Sequence, residues 1–297
     1  MKSGFVAIVG RPNVGKSTLL NRILGQKLAI VTPKPQTTRA RLLGILNRDD
    51  AQLVLLDTPG IHRPRGRLNE FMVRTAVAAA GDVDLVLVVV EAHHSHPDDR
   101  LVVESVGASG KPKVLAANKI DLVRDRNALL PLLDGFAKLA EFEAVVPISA
   151  TSGENVDRLV DVLVERLPEG PRYFPLDMIT DQSERALAAE LIREQVMLHT
   201  EQELPYTTAV VVDAWEDNEA EAPEDRLVRI SATVHVERES QKGIVIGKAG
   251  QRIKAIGTAA RAGLERLLGC RIFLELFVRV QRNWTRDPRS LREFGYE

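Results

Sequence analysis

Short apolar runs alternate with amphipathic stretches through the first half of the chain. Phe5–Val9 reads as an apolar strand, and Ser17–Leu24 as a helix stopped by Gly25. Leu42–Leu46 and Leu53–Leu56 read as a hairpin that turns through Asn47–Asp50. Leu85–Val90, Val114–Ala117 and Val145–Ile148 are three further buried strands, with helical patterns at Leu68–Ala80, Asp98–Ala108 and Ala128–Leu139 between them. Val156, Leu159, Val160 and Leu163 make a last helical stripe. This alternation predicts an α/β fold, a mostly parallel sheet with helices on both faces. The hairpin adds one antiparallel edge strand.

Pro168, Gly170, Pro171 and Pro175 break the rhythm. Beyond them a helix is predicted over Ser183–Thr200, with Asp181 and Glu184 in a capping-box-like spacing. Strands follow at Thr208–Ala214 and Leu227–Glu237. The second alternates apolar residues at Val228, Ile230, Ala232, Val234 and Val236. A short helical piece near Gly243, a helix Gly250–Leu268 and a strand Arg271–Val280 complete an α-β-β-α-α-β order. The chain is therefore divided into an α/β domain over 1–172, a linker over 173–182 and a small α+β domain over 183–297.

Composition agrees with two domains: 297 residues, 44% hydrophobic, is ample for two cores. The single cysteine, Cys270, excludes an internal disulfide framework and fits a reducing, cytoplasmic compartment. No apolar run approaches the ~20 residues of a membrane span, and Met1–Val9 lacks the length and cleavage signal of a secretory leader. A net charge of −1 argues against a nucleic-acid partner only until it is localised. Residues 1–175 carry 23 basic and 20 acidic side chains, residues 176–240 carry 5 and 16, and residues 241–292 carry 12 and 3. A segment of net +9 inside a neutral chain is the footprint of phosphate binding, although a solvated helix face reads the same on charge alone.

Four motifs carry chemistry in the first domain. Gly10-Arg11-Pro12-Asn13-Val14-Gly15-Lys16-Ser17 matches G-x-x-x-x-G-K-[ST] directly after a predicted strand, and a helix opens at Lys16/Ser17 and continues through Thr18. Such a loop cradles phosphate oxygens with backbone N–H groups. Lys16 supplies a charge to the β/γ-phosphates and Ser17 a ligand to Mg²⁺. By chance the pattern arises in roughly one chain in a hundred of this length. Asp57-Thr58-Pro59-Gly60 ends the next strand but one. There a carboxylate can hold Mg²⁺ through water and the Gly60 N–H can sense a γ-phosphate. Alone it is an ordinary turn. Thr37 and Thr38 sit in a Pro/Gln/Thr stretch suited to a mobile loop; one of them can ligate Mg²⁺, with Thr38 favoured.

Asn118-Lys119-Ile120-Asp121 follows another strand. Asp121 can accept from the ring N–H and exocyclic amine of guanine, a donor pair adenine lacks. Asn118 adds an amide contact and the stem of Lys119 covers the base. Ser149-Ala150 is placed for a backbone N–H to meet the guanine carbonyl. The order and strand-end positions of all four elements give them weight together. A P-loop ATPase or kinase is the alternative, and Asp121 speaks against it.

In the second domain Gly247–Gly250 is a G-x-x-G loop between two helical segments, containing Lys248 and Ala249. Ile244 and Ile246 precede it, and Lys242, Arg252 and Lys254 surround it. A lone G-x-x-G is weak because glycines often cap helices. The element order and the +9 charge make RNA-backbone binding the stronger reading.

With these residues in view, the first domain resembles a translation-factor-class P-loop GTPase. The second resembles a type II KH domain. Together, with Gln36-Thr37-Thr38-Arg39 in the first loop, they are similar to the Era family of GTPases over almost the whole chain. The resemblance implies GTP and GDP as ligands and Mg²⁺ held by Ser17, Thr38 and Asp57. Lys16, Thr38, Gly60 and Asn13 would serve hydrolysis, with Asn13 helping to bind K⁺ in place of an arginine finger. It also implies binding of small-subunit ribosomal RNA near its 3′ end, in assembly of the small ribosomal subunit. A monomer is expected, with peripheral membrane association that nothing else in the sequence indicates. One departure from the Ras pattern stands out: Ile61 occupies the position of the glutamine that orients water, so slow intrinsic turnover is expected. Ile61 also keeps open a second reading, a constitutive RNA-binding assembly protein whose nucleotide site is mainly structural. Arg63, Arg65 and Arg67 can act in cis, though an exposed basic loop is the plainer reading.

Other features have ordinary explanations. His93, His94 and His96 lack metal-ligand spacing, Glu216–Asp225 reads as a solvated hairpin tip, and Cys270 as inert. Trp284, with Arg282, Arg286 and Arg289, is either an RNA-stacking residue or a packing anchor.

Overall fold

The computed structural model describes every residue except 65, 108, 126–128, 202–203, 221, 223–224 and 297. The expected ends at Ala108 and Ala128, the cis-acting role for Arg65 and part of the acidic run 216–225 lie outside the described residues. The chain forms two compact units, Met1–Asp181 and Gln182–Glu297.

In the first unit six strands form one sheet: β1 (Lys2–Val9), β2 (Leu42–Asn47), β3 (Ala51–Asp57), β4 (Leu85–Glu91), β5 (Lys113–Asn118) and β6 (Ala144–Pro147). Their order is β2-β3-β1-β4-β5-β6, antiparallel only at the β2 edge. The helices are α1 (Lys16–Leu24), α2 (Arg67–Gly81), α3 (Pro97–Gly107), α4 (Leu129–Ala137) and α5 (Val156–Arg166).

Because strand side chains alternate between faces, neighbouring residues serve different cores. Val6, Ile8, Leu53, Leu55 and Leu87 pack with Leu19 and Leu20 of α1 and Leu159 and Leu163 of α5. Ala7, Val9, Val54, Val86 and Val88 pack with Ala76 and Ala80 of α2 and Val102 and Val106 of α3. Both faces are covered, so the strands read as continuous apolar runs rather than alternating ones. Parallel strands point their carboxyl ends the same way. The loops after β1, β3, β5 and β6 therefore meet along one rim.

The stretch expected as a linker is held to this unit instead. Buried Gln52 accepts from the backbone N–H groups of Tyr173 (2.7 Å) and Phe174 (3.1 Å) and donates to Phe174 O (2.9 Å). Ile45 N donates to Ile179 O at 2.8 Å, and Asn47 Nδ2 to Leu176 O at 3.0 Å. Edge groups of β2 thus find partners in a segment with no regular structure, whose Pro and Gly breaks read as a linker.

The second unit contains α6 (Glu184–His199), β7 (Ala209–Asp217), β8 (Leu227–Val236), α7 (Glu239–Ile246), α8 (Gln251–Leu268), β9 (Arg271–Val280) and α9 (Pro288–Glu293). Its sheet order is β7-β8-β9, with β8 and β9 parallel. The inward residues Ala232, Val234 and Val236 pack on Ile192, Val196, Ile256 and Ala260. Helix α6 is capped by Ser183, whose hydroxyl accepts from Ala186 N at 3.2 Å. Asp181, the expected capping residue, lies two positions too early. Trp284 is fully buried. Its indole donates to Thr207 O at 2.9 Å and its rings pack on Phe294 and Tyr296, so it anchors the C-terminal turn and does not face RNA.

Candidate functional site

Between β1 and α1 the chain turns through Asn13 and Gly15, both with positive φ (64° and 101°). Gly10 and Gly15 are required by space. A Cβ on Gly10 would lie 2.5 Å from Val89 O, and one on Gly15 2.3 Å from Asn118 Nδ2. Lys16 is buried, with its ammonium donating to Gly10 O (3.1 Å) and Arg11 O (3.0 Å) across the loop. Burial pushes its pKa down to about 8 despite the nearby Asp57 carboxylate.

Ser17, Thr38 and Asp57 converge from three different segments. Ser17 Oγ donates to Asp57 Oδ2 at 2.6 Å and lies 2.9 Å from Thr38 Oγ1, which is itself 3.4 Å from Asp57 Oδ2. Thr37 points elsewhere, to Thr32 Oγ1 (2.8 Å) and Lys34 O (2.7 Å). Asp57 is fully buried, and its Oδ1 has no hydrogen-bond partner among the described residues. Burial holds its pKa above the usual carboxylate range. A buried, half-satisfied carboxylate beside two hydroxyls is a donor set suited to a hard divalent cation such as Mg²⁺. Gly60 lies against the phosphate loop, where a Cβ would meet Pro12 N at 2.6 Å, and Ile61 N donates to Gly10 O at 3.1 Å. Thr58 Oγ1 donates to Ile8 O at 2.8 Å, and Pro59 leads into the Gly60 approach. The Ile61 side chain is fully buried in the α2/α3 core, so it presents nothing to a water in the cleft.

At the base end, Asn118 bridges two loops: Nδ2 donates to Val14 O at 2.7 Å and Oδ1 accepts from Ala150 N at 2.9 Å. Ser149 N donates to Glu154 O at 3.0 Å. Neither N–H of Ser149-Ala150 is therefore free for a guanine carbonyl in this arrangement. An Ala150 contact to the base requires Asn118 Oδ1 to give up its donor. Lys119, at φ 68°, donates to Asn13 O at 2.8 Å, and exposed Asp121 lines the mouth. Sequence reasoning placed Arg11 with the phosphates. Its side chain turns away, bonded to Glu91 and, through Nε, to Asp99 at 3.0 Å, leaving only its backbone to the loop. The cleft holds about 610 Å³ and is lined by Asn13, Gly15–Thr18, Thr38, Gly60, Asn118, Lys119 and Asp121. Thus one cavity brings together a glycine-rich loop suited to phosphate, two hydroxyls that meet buried Asp57, and the Asp121 carboxylate.

The glycine loop of the second unit is a tight left-handed turn. Gly247, Ala249 and Gly250 have φ of 73°, 48° and 76°, and a Cβ on Gly247 would sit 2.6 Å from Arg252 Cβ. Ala249 is in a region L-residues rarely adopt. Lys248 is exposed at the tip, and Arg252 donates to Ile244 O. Ile244, 43% exposed, and half-buried Ile246 precede the loop, with Lys242 half-buried and Lys254 exposed. Beside it runs a groove of about 340 Å³ between α8 and β9, lined by Ile253, Lys254, Gly257, Thr258, Arg261, Phe273, Leu274 and Leu276.

Residues 5–119 match the family described as 50S ribosome-binding GTPase, and residues 203–285 match KH domain. The GTPase Era of Syntrophus aciditrophicus is 57% identical over 296 residues, covering 99% of this chain and 95% of that protein. That of Geobacter metallireducens is 50% identical over 99% of this chain and 98% of its own. The chain belongs to the Era family of GTPases. It is accordingly an enzyme that binds GTP and hydrolyses it to GDP and phosphate. Two solved Era structures superpose over the full chain at 43% identity. One is an Aquifex aeolicus Era variant bound to GDP.AlF4⁻ (TM-score 0.95), the other an Era in complex with MgGDPNP and nucleotides 1506–1542 of 16S ribosomal RNA (TM-score 0.94), and each covers 100% of this chain and 99% of its own.

Within this Era-family fold, two groups escaped sequence reasoning. The groove residues of α8 and β9 belong to no short motif. Of these only Lys254 was picked out, for its charge beside the glycine loop; Phe273, apolar on the outward phase of β9, was the other signal. Glu91 was the other omission, a lone carboxylate ending the wholly apolar run Leu85–Val90.

Proposed function

We propose that the chain is a guanine-nucleotide switch that binds small-subunit ribosomal RNA near its 3′ end and acts in assembly of the small ribosomal subunit. The carrying observation is that one chain combines the Ser17–Thr38–Asp57 triad with a basic G-x-x-G loop and adjoining groove. In this reading the backbone N–H groups that Asn13–Thr18 present and the Lys16 ammonium hold the β/γ-phosphates, with Gly10, Arg11 and Pro12 shaping the loop. Asn118, Lys119 and Asp121 hold the guanine. Mg²⁺, held by Ser17, Thr38 and Asp57, would neutralise developing phosphate charge. Thr38, Gly60, Lys16 and the Asn13 side chain position the reacting γ-phosphate. The Asn13 amide donates to Pro33 O at 2.9 Å in the mobile-loop segment, which supports a K⁺ site formed jointly by that loop and Asn13. Loss of K⁺-over-Na⁺ acceleration in Asn13→Ala is the expected result.

For RNA, Gly247–Gly250 admits the backbone, Lys242, Lys248, Arg252 and Lys254 supply charge, and Ile244, Ile246 and the α8/β9 groove take bases. The matched family description mentions the 50S subunit. It covers only residues 5–119, whereas the full-length likeness is to an Era holding 16S RNA, and the small subunit is therefore preferred. The protein works as a monomer in the cytoplasm. Peripheral association with the cytoplasmic face of the membrane is part of this reading. Among the described residues no helix is long and apolar enough to cross a membrane.

The buried Ile61 favours one competing reading, an RNA-binding assembly protein whose nucleotide is chiefly structural. Crosslinking followed by sequencing of bound RNA tests the proposal. Wild type should enrich the 3′ end of small-subunit RNA and a Gly247→Asp, Gly250→Asp double variant should not. Equal profiles would remove the KH loop from the account.

A further inference from the structure

A charge network lies outside the Ser17–Thr38–Asp57 triad and behind the base site. Glu91, the last residue of β4, is 8% exposed. Its two oxygens take different partners: Oε2 accepts from Arg11 Nη2 and Oε1 from Lys119 Nζ. Arg11 belongs to the phosphate loop and Lys119 to the base loop, so one carboxylate ties both halves of the nucleotide cleft to the central strand. Each cation has one further acceptor: Asn13 O for Lys119 (2.8 Å) and Asp99 Oδ1 for Arg11 (3.0 Å). Asp99 is buried at the start of α3 and also accepts from His96 N (2.9 Å), so the outer end of the network is fixed to a helix.

Three facts make this more than ion pairing. First, Lys119 needs its ammonium anchored if its stem is to lie along a base plane, and Asn13 O alone leaves most of that charge unmatched. Second, Arg11 and Lys119 are both cations held on the same carboxylate. Without an intervening carboxylate they would repel and splay. Third, the carboxylate is largely desolvated, where removing one member of a satisfied ionic set costs far more than at the surface. No nucleotide group needs to touch Glu91 for it to matter.

We propose that Glu91 is a positioning residue for guanine-nucleotide retention: it clamps the phosphate loop to the base loop through Arg11 and Lys119, and so sets the rate of GDP release. A purely electrostatic role predicts the opposite sign. Deleting a negative charge near bound phosphates would slow release, so the direction of the change decides between the two.

The proposal rests on the guanine-nucleotide reading of the cleft. Failure of that reading would appear separately, as absence of GDP binding by the wild-type chain. The test uses the full-length protein loaded with a fluorescent GDP analogue and chased with excess GDP. Glu91→Gln keeps the side-chain shape but cannot neutralise both cations. Release from it should be about tenfold faster, which corresponds to ~1.4 kcal/mol. The rate of single-turnover hydrolysis should change by a smaller factor. Glu91→Asp, too short to reach both cations together, should fall between the two. If Glu91→Gln melts without cooperativity, the release rate of Glu91→Asp carries the test alone. Release unchanged or slower, or release and hydrolysis altered by the same factor, would overturn the proposal.

Discussion

The two binding regions of this chain are built on opposite plans. In the nucleotide cleft nearly every functional side chain already has a protein partner: Lys16 spans its own loop, Ser17 meets Asp57, and Asn118 joins Val14 to Ala150. At the KH loop the candidate RNA-contacting parts are glycine backbone in left-handed turns, exposed lysine and exposed isoleucine, and among the described side chains Arg252 bonds across the turn. A prewired site recognises a small ligand by exchanging existing hydrogen bonds for equivalent ones. Any missing group then leaves a buried partner unsatisfied. An open site recognises a polymer by shape, charge and stacking, with each contact worth less. Single changes should therefore be severe at the first and graded at the second.

Asp121→Asn should produce the largest effect. It exchanges an acceptor for a donor opposite the guanine N–H groups, and guanine affinity should fall about 10⁴-fold with recovery on xanthine nucleotides, read by competition binding. Gly60→Ala follows. Its Cβ would collide with Pro12 N at 2.6 Å and Pro12 Cα at 2.8 Å, both backbone atoms that cannot rotate away. Displacing that turn by about 1 Å should slow single-turnover hydrolysis by about 10²-fold. At the open site Phe273→Ala should weaken binding of the RNA 3′-end fragment by roughly 1–3 kcal/mol, the worth of one stacked base, measured by fluorescence anisotropy.

The smallest effect is a proton. Free Lys16 has a pKa near 8 because burial disfavours its charge, below the 10.5 of an exposed lysine. Phosphate oxygens favour the charged form, so binding must raise that pKa. Between these values nucleotide binding takes up a fraction of a proton, an uptake that fades as pH falls well below 8. Calorimetry of GDP binding in buffers of different ionisation enthalpy reads this directly.

The same contrast explains what was legible from sequence. The nucleotide motifs are short, contiguous and tied to strand ends, so Gly10–Ser17, Asp57–Gly60 and Asn118–Asp121 could be placed before any coordinates. Continuous apolar runs predicted the first sheet, because Val6/Ile8 and Ala7/Val9 serve separate cores, and alternation over Val228–Val236 predicted the second. What stayed hidden depends on tertiary contact. Glu91 reaches residues 80 and 28 positions away. The α8/β9 groove is assembled from two elements, and the Pro-rich segment 173–179 docks on β2 through Ile45 and on β3 through Gln52. The motif position of Arg11 speaks only for its backbone; its side chain is bonded to two carboxylates that no local pattern reveals.

Whether these two regions communicate is the central claim, and it turns on one measurement: the affinity of the full-length chain for an RNA spanning the 3′ end of small-subunit RNA, in the presence of a non-hydrolysable GTP analogue, of GDP, and of no nucleotide. A switch predicts binding tightest with the GTP analogue, by about 5- to 150-fold over GDP, the usual range of coupling between two sites. Equal affinities in all three states would contradict it and leave the nucleotide a structural ligand.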